Sequence, residues 1–376
     1  MTSFEAICAG GVATSLGYLG YAQWCFSRWA AAPPAEAGRP GEPITFFRPL
    51  KGGVPGLRAK LEAMARALRA EDQLLLGVDP ASPEAVLGGE IRAAFPEREV
   101  VVVPCATGPG ASGNPKVAKL IQMAPLARHE HWVVADGEAW LDAEWVEAWR
   151  AEWAACGAAV LTAGYRIEGA QSWPQRLDAA GLLVTLWPGL AVLHAARALR
   201  FTLGACVALR RADLTRVGGW AAFGDVLAED NRLGAALVAD GRRIQLSQQV
   251  VALQSDPLDW RAWWRHQRRV AVTYRVGNPW GYAGSVVTMG EMWALLLVAS
   301  GAWWGLALLF AVWAVRTAGA LRMARTLAFS LPGLALAVLG ASLAGSVCWA
   351  ASWGTRTVWW SGRRWRVSFR GGLRGI

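Results

Sequence analysis

Residues 73–79 read QLLLGVD, an apolar run that ends in an aspartate, and residues 131–136 repeat the pattern as HWVVAD. Each run has the length and apolar content of a buried strand. Strand-like runs alternate with helix-like segments around them, and this alternation predicts an α/β fold with a mostly parallel sheet covered on both faces. Because ligands bind beyond the carboxyl ends of strands in such sheets, Asp79 and Asp136 are candidate site residues.

Outward from these two runs, the pattern predicts the remaining elements of one domain over residues 44–255. Further strands are expected at 44–47, 99–103, 158–164 and 203–209, and helices at 57–69, 82–95 and 226–240. The apolar segment 173–200 is predicted to be helical, packed on the sheet or in contact with a membrane. Helix 260–275 is basic and rich in tryptophan, so residues 256–290 are predicted to be amphipathic and interfacial.

Apolar stretches near both ends predict membrane segments. Residues 6–27 carry no charge, and roughly 22 residues suffice for a helix to cross a bilayer. We therefore expect a transmembrane anchor at 1–29, a linker rich in alanine, proline and glycine at 30–43, and a C-terminal membrane region at 291–355. Its two predicted spans are 293–315 and 326–354. Their connection contains Arg316, Arg322 and Arg325, and three spans would place these outside, so the number of spans stays open.

Charge supports a membrane partner. The net charge is +10, and charged residues make up 18% of the chain, against about a quarter in an average soluble domain. The basic tail, residues 356–376, directly follows an apolar run, which favours an anionic membrane surface over nucleic acid. Basic flanks then place the domain on the cytoplasmic side of the cell (inner) membrane. The six cysteines show no CxxC spacing and are predicted to be free thiols in a reducing compartment.

Acidic residues recur beyond the two strand ends. Asp136 is followed by Glu138, and Glu229 by Asp230. Carboxylates of this kind can hold a divalent metal or act as a general base. Each acidic residue alone is weak evidence for a functional site, because an aspartate at a strand end is more often a cap or turn residue. The order of these acidic residues along the chain is stronger evidence than any one of them.

That order resembles the ceramide glucosyltransferase family and its bacterial relatives, including hopanoid-associated glycosyltransferases. Asp79 and Asp136 stand where the family places aspartates. The motifs that carry the resemblance are ITFFRPLKG (44–52), NPKVAKL (114–120), the segment from Leu203-Gly204-Ala205 through Arg210-Arg211 to Gly218-Gly219-Trp220, LAED (227–230) and WSGRRWR (360–366).

The resemblance implies a GT-A fold and an inverting transfer of a hexose from a UDP-sugar to a hydroxyl of a membrane lipid, of the ceramide or hopanoid type. Asp79 is then expected to contact the uridine, and Asp136 with Glu138 to hold Mn²⁺ or Mg²⁺. Asp230 is expected to be the general base. Lys116 and Lys119 are expected to neutralise phosphate, with a solvated basic turn as the alternative.

The sequence departs from the family at several positions. No acidic residue follows Asp79 in Pro80-Ala81-Ser82-Pro83, and Ala118 replaces an asparagine. The (Arg/Gln)-x-x-Arg-Trp motif reads His266-Gln267-Arg268-Arg269-Val270. Arg269 keeps one expected diphosphate contact, and His266 supplies a pH-dependent cation. Two alternatives remain: a catalytically impaired member that binds nucleotide-sugar or lipid, and a polysaccharide synthase-like transferase, which predicts an intact motif and a longer helical bundle.

Overall fold

The computed structural model describes residues 1–33, 41–106, 112–254, 258–369 and 371–376. The chain forms two compact units. The sheet unit comprises Pro33–Tyr165 and Leu199–Asp256, and the helical unit comprises Met1–Ala32, Arg166–Ala198 and Pro257–Ile376. The domain predicted over 44–255 is thus interrupted, because residues 166–198 belong to the helical unit. Part of the predicted linker, residues 34–40, lies outside the described residues.

The strands of the described residues are β1 Ile44–Pro49, β2 Gln73–Val78, β3 Glu99–Pro104, β4 His131–Ala135, β5 Ala139–Trp140, β6 Val160–Thr162, β7 Tyr165–Glu168, β8 Cys206–Arg210, β9 Ile244–Leu246, β10 Val251–Gln254, β11 Thr357–Trp360, β12 Arg363–Val367 and β13 Leu373–Gly375.

The α-helices are α1 Ser3–Ala30, α2 Leu57–Ala67, α3 Pro83–Ala94, α4 Pro115–Met123, α5 Ala143–Cys156, α6 Trp173–Gly181, α7 Trp187–Ala195, α8 Arg211–Arg216, α9 Glu229–Ala239, α10 Trp260–Gly277, α11 Pro279–Gly284, α12 Gly290–Ala299, α13 Gly305–Thr326 and α14 Leu334–Trp353. A π-helical turn, Leu182–Leu186, joins α6 to α7. Short 3₁₀ turns lie at Ala124–Leu126, Trp220–Phe223 and Ser285–Thr288.

A seven-stranded sheet forms the centre of the sheet unit, in the order β3-β2-β1-β4-β8-β6-β9. All its neighbouring pairs are parallel except the two made by β8, which runs antiparallel to both β4 and β6. The predicted mostly parallel sheet is therefore confirmed. Because β8 starts where β4 ends, with Cys206 opposite Ala135, the residues before β8 lie at the carboxyl edge of β4.

The core of this unit explains why the parallel strands read as continuous apolar runs. Every residue of β1 and β2 is buried, and Trp149 of α5 is fully enclosed against the core.

A buried ion pair lies at the opposite edge of the sheet, where β1 and β2 begin: Arg150 Nη2 lies 2.6 Å from Asp72 Oδ2. The other oxygen of Asp72 accepts the amide of Ile44 at 2.9 Å, so one carboxylate holds the starts of β1 and β2 in register.

Among its described residues, the helical unit contains three helical stretches long and apolar enough to cross a membrane, Trp173–Ala195, Gly305–Thr326 and Leu334–Trp353. A fourth is possible if Pro279–Thr288 and Gly290–Ala299, which are bent by 61°, form one broken span or a re-entrant loop. Helix α1 is 28 residues long but is not among these stretches. It packs through Val12 and Leu19 against α12 and α13, and its role as an anchor stays a prediction.

The span predicted over 293–315 is wrong as a single helix. Helix α12 ends in a glycine-containing C-cap: Gly301 has φ 89°, and the amide of Ala302 donates to Leu297 O at 3.1 Å. The chain resumes as α13, which also contains Arg316. This arginine is buried, with Nε 2.6 Å from Glu291 Oε1 and Nη2 3.0 Å from Oε2. Arg316 therefore lies within a helix and not in a connection between two spans, and the number of spans stays open.

The basic tail is folded. Strands β11, β12 and β13 form a three-stranded antiparallel sheet. Helix α10 contacts it through the guanidinium of Arg265, 5.0 Å from the centre of the Trp359 ring. Arg275 Nη2 also donates to Thr355 O at 2.5 Å.

Candidate active site

The two aspartates that follow β2 and β4 lie at the same edge of the sheet. Only β1 separates these strands, so Asp79 and Asp136 begin their loops about two strand spacings, roughly 10 Å, apart. Asp79 Oδ1 accepts the amide of Ala81 at 3.2 Å, the turn role that an aspartate at a strand end commonly has. Its charge also raises the pKa of Lys119, partly offsetting the larger effect of burial.

Arg48 shapes the loop that carries Asp136. Its side chain, at the end of β1, is fully buried, and Nη2 donates to Gly137 O at 3.1 Å and Ala139 O at 3.0 Å. Burial lowers the pKa of Arg48 to about 10, which leaves the guanidinium charged at neutral pH. The motif ITFFRPLKG contains this residue, but sequence reasoning did not single it out.

Lys116 is the centre of the acidic cluster. Its Nζ lies 2.7 Å from Asp136 Oδ1, 3.1 Å from Glu229 Oε1 and 3.0 Å from Gly204 O. Burial alone would lower the pKa of Lys116, but the two carboxylates outweigh it and raise the pKa above its ordinary value. One ammonium thus joins the loop after β4, the start of α9 and the residues before β8.

Asn114 positions both partners in this contact. Its Oδ1 caps α4 by accepting the amides of Lys116 at 3.0 Å and Val117 at 3.3 Å. Its Nδ2 donates to Glu229 Oε2 at 2.9 Å. Burial alone would raise the pKa of Glu229, but the charge of Lys116 and these hydrogen bonds lower it. The sequence contained the signal, because an asparagine before a proline is a strong helix start.

Asp230 has a different environment from its neighbour. Its Oδ2 accepts the amide of Gly204 at 3.0 Å, and its Oδ1 accepts that of Asn231 at 2.8 Å. Burial and the nearby charge of Glu229 raise the pKa of Asp230 to about 7. Space at Gly204 is tight, because a Cβ at that position would lie 3.1 Å from Asp230 Oδ2 and 3.4 Å from Lys116 Nζ.

The second predicted phosphate partner, Lys119, is buried and donates from Nζ to Leu50 O. Burial lowers its pKa. The ammonium groups of Lys116 and Lys119 both have protein acceptors in this structure, so contact with phosphate stays a prediction for each.

Asp136 and Glu138, the predicted metal ligands, supply carboxylate oxygens of the kind that a divalent cation requires. Within the described ranges, no group of three or more histidine, cysteine, aspartate or glutamate side chains is placed to hold a metal. Mg²⁺ at nucleotide sites, however, takes only one or two protein carboxylates and completes its shell with phosphate oxygens and water. Asp136, whose side chain is 33% exposed, and Glu138, which pairs with Lys51, fit that smaller requirement.

Two predicted donor contacts lie on α10 of the helical unit. Arg269 Nη2 lies 3.2 Å from His266 Nδ1, and His266 Nε2 lies 3.6 Å from Asp178 Oδ1. Gln267 Nε2 also donates to Asp178 Oδ1 at 2.8 Å. The altered motif is therefore packed against α6, while Asp136, Glu229 and Asp230 converge in the sheet unit.

The sequence matches glycosyl transferase family 21 over residues 8–373. Among solved structures, it is similar to the mannosyltransferase PcManGT from Pyrobaculum calidifontis in complex with GDP-Man and Mn²⁺. That likeness has 18% identity and a TM-score of 0.55, and covers 92% of this chain and 98% of that chain. It confirms the fold that the resemblance implied.

Two weaker likenesses are to other transferases. S. aureus TarS 1–349 in complex with UDP-GlcNAc has 12% identity and a TM-score of 0.40, with 89% of this chain and 99% of that chain covered. Glucosyl-3-phosphoglycerate synthase from Mycobacterium tuberculosis, with Mn²⁺, UDP and glucosyl-3-phosphoglycerate, has 19% identity and a TM-score of 0.38, with coverages of 67% and 83%. Among curated proteins, none matches the sequence.

Proposed function

Because the chain belongs to glycosyl transferase family 21 and is a glycosyltransferase of the GT-A fold, we propose that it moves a hexose from a UDP-sugar to a hydroxyl of a membrane lipid, of the ceramide or hopanoid type, with inversion. The observation that carries this proposal is the cluster around Lys116. It brings the aspartate that follows β4 together with the acidic pair that begins α9.

Inversion requires a single displacement with one base opposite the leaving group. Asp230 takes the proton from the lipid hydroxyl, whose oxygen forms the new bond to the anomeric carbon. The bond from that carbon to the diphosphate breaks, and UDP leaves with the electron pair. The pKa of about 7 suits this task, because a general base is most effective when its pKa is near the working pH.

The surrounding residues position and balance this base. The negative charge of Glu229 raises the pKa of Asp230, and the positive charge of Lys116 partly offsets this effect. The amides of Gly204 and Asn231 fix the orientation of the carboxylate. Asp79 is assigned to the uridine, as the resemblance implies, at the same sheet edge.

Charge on the departing diphosphate also needs compensation. Asp136 and Glu138 are the residues that would hold a divalent cation, which would neutralise that charge when bound. His266 and Arg269 are assigned to the diphosphate as further cations, and Lys119 as a weaker one. This assignment rests on the family motif and on the positive charge of α10.

The helical unit supports a membrane location. Its three apolar helical stretches and its basic tail support a multi-pass protein of the cell (inner) membrane with the sheet unit in the cytoplasm. A lipid acceptor is consistent with that location, since the hydroxyl must be reached at the bilayer surface.

The test is a transfer assay on the purified full chain with a panel of UDP-sugars and extracted lipids, with Mn²⁺, Mg²⁺ or a chelator. We expect one lipid product that carries a single sugar of inverted anomeric configuration, and a lower rate after chelation. A polymer would instead identify a synthase-like transferase. No product with any donor, together with retained UDP-sugar binding, would identify a catalytically impaired member, as the valine at position 270 in place of tryptophan suggests.

A further inference from the structure

The positive charge of the chain is concentrated in two segments of the helical unit. Helix α10 carries five arginines and residues 356–376 carry six, and neither segment has an acidic residue. The net charge of the whole chain is +10, so the remaining residues together are close to neutral. Because α10 contacts the C-terminal sheet, these two basic segments form one surface.

Strand pairing places three of the four arginines of the sheet on one face. Trp359 pairs with Arg364 across β11 and β12, and Arg366 pairs with Arg374 across β12 and β13. Directly opposed residues of an antiparallel pair project from the same face, as do residues two apart on one strand. Arg364, Arg366, Arg374 and Trp359 therefore share a face, and all four are exposed. We call this set the arginine face.

Among the described residues, no carboxylate forms an ion pair with the arginine face. The ion pairs of the helical unit, within its described residues, involve the N-terminus, Arg166, His266 and Arg316. None of them includes Arg364, Arg366 or Arg374. Arg265 of α10 adds a further cation at the Trp359 ring, 5.0 Å from its centre.

The arginine face is held next to a candidate membrane span. Helix α14 ends at Trp353, and β11 begins at Thr357, so only three residues connect the span to the sheet. Trp353 is 45% exposed and packs against Trp349 and Tyr282, with ring centres 5.9 Å apart in both pairs. Such aromatic clusters are typical of the headgroup level of a bilayer, where tryptophan and tyrosine are enriched.

We propose that the arginine face is a binding site for the anionic phospholipid headgroups of the bilayer, in addition to any acceptor lipid. Each guanidinium presents a planar fork that matches phosphate oxygens, and Trp359 supplies the amphipathic ring suited to this depth. The uncompensated charge and the short connection to α14 select a membrane headgroup as the occupant.

The test is native mass spectrometry of the full chain in a neutral detergent, titrated with phosphatidylglycerol or phosphatidylcholine. The wild type is expected to retain phosphatidylglycerol in preference to phosphatidylcholine. The triple variant R364Q/R366Q/R374Q is expected to bind it roughly 100-fold more weakly, from about 1 kcal/mol for each arginine near an anionic surface. The R364K/R366K/R374K variant keeps the charge but loses the planar fork, and is expected to bind more weakly than the wild type and more tightly than the glutamine variant.

Two controls make the outcome decisive. The R58Q/R92Q/R128Q variant removes the same charge from exposed positions of the sheet unit and is expected to bind like the wild type. Asp230→Asn is expected to retain phosphatidylglycerol while losing transfer, which separates this site from the proposed function. The proposal is overturned if the glutamine variant binds as tightly as the wild type, if the lysine variant binds no better than the glutamine variant, or if phosphatidylcholine is retained equally.

Discussion

Glu229 and Asp230 are adjacent in the chain, yet their surroundings drive their pKa values apart. Glu229 Oε1 lies 3.1 Å from the ammonium of Lys116, whereas the oxygens of Asp230 accept backbone amides. The pKa of Glu229 is lowered, and that of Asp230 is raised to about 7. Divergence of this kind within a carboxylate pair is how active sites separate a permanent charge from a proton acceptor.

The first prediction concerns pH. A general base must be ionised to accept a proton. Activity is therefore lost as the pH falls below the raised pKa of Asp230, and is unaffected above that pKa. We expect kcat/KM to be constant above pH of about 7 and to fall about tenfold for each unit below it. Initial rates across this range measure the effect. A profile that stays flat down to about pH 5 would exclude Asp230 as the base.

The second prediction concerns Lys116. Replacement by methionine leaves the charges of Asp136 and Glu229 without their cation, and we expect the free energy of unfolding to fall by about 3 kcal/mol, the lower end for a buried pair, because Lys116 keeps 22% exposure. The acid limb of the pH profile should also move upward, since Lys116 lowers the pKa of Asp230.

Lys51→Met is the matched control for Lys116→Met. It breaks the ion pair of an exposed lysine with Glu138, and such pairs contribute about 0–1 kcal/mol. Chemical denaturation of both variants and their pH profiles give the comparison. Equal losses of stability in the two variants would show that Lys116 is not the centre of the cluster.

At the scale of elements, the position of Asp230 depends on how closely α9 packs against the chain before β8. A Cβ on Gly234 would lie 2.4 Å from Phe201 Cα and 2.7 Å from Thr202 N. These are backbone atoms, which cannot rotate away. The absence of a side chain at Gly234 therefore sets the distance of α9, and with it the position of Asp230.

The third prediction follows from this packing. Gly234→Ala should lower the free energy of unfolding by about 1–3 kcal/mol through overpacking, and should reduce kcat by displacing Asp230. Gly89→Ala in α3 is the control: nothing lies within 4 Å of its Cβ, so the better helix propensity of alanine should raise stability by up to about 1 kcal/mol. Thermal unfolding and initial rates test the pair. Full activity and stability in Gly234→Ala would refute the packing argument.

Elements with clear ends could be predicted from the sequence. Strands β2 and β4 have the predicted bounds, because each is an apolar run that stops at an aspartate. Strand β8 was predicted over 203–209 but begins at Cys206. The reason is that residues before it bond outside the ladder: Leu203 N donates to Thr162 Oγ1, and Gly204 N donates to Asp230. The apolar pattern along the chain does not indicate hydrogen-bond partners that are distant in sequence.

The same limit applies to the site. The order of acidic residues singled out Asp136 and Asp230 as candidates, and Lys116 was assigned to phosphate, a role that stays a prediction. Its ion pairs with Asp136 and Glu229 join residues far apart in the chain, and no local pattern indicates them. Asn114 was recognisable as a helix cap, whereas its contact with Glu229 was not.

At the scale of the whole molecule, the chain alternates between its two units. The helical unit contains a buried ion pair that a hydropathy pattern does not indicate. Arg316 of α13 and Glu291 of α12 are 6% and 1% exposed. Arg316 also donates to Thr288 O at 2.9 Å, at the bend before α12. Hydropathy therefore ended the predicted span at residue 315 and placed Arg316 in the connection, although this arginine is paired with Glu291 inside the helical packing.

The fourth prediction tests that pair by a double-mutant cycle. Arg316→Met leaves Glu291 as an unpaired buried charge, and we expect a loss of about 3–5 kcal/mol. Removing both charges in Glu291→Leu/Arg316→Met should restore most of the stability, because an apolar pair of similar volume replaces the ions. Thermal unfolding in detergent measures all three variants. Additive losses in the double variant would contradict the assignment of the two residues as a pair.

The most direct measurement of the central claim is the kcat of Asp230→Asn with the UDP-sugar and lipid that the wild type uses. We predict a loss of about 10²–10⁴-fold, the usual contribution of a general base, with the affinity for the UDP-sugar unchanged. Asp240→Asn, at the C-cap of α9 and the opposite end of that helix from Asp230, should retain the wild-type rate. An Asp230→Asn enzyme that keeps a rate within a few-fold of the wild type would contradict sugar transfer by this base.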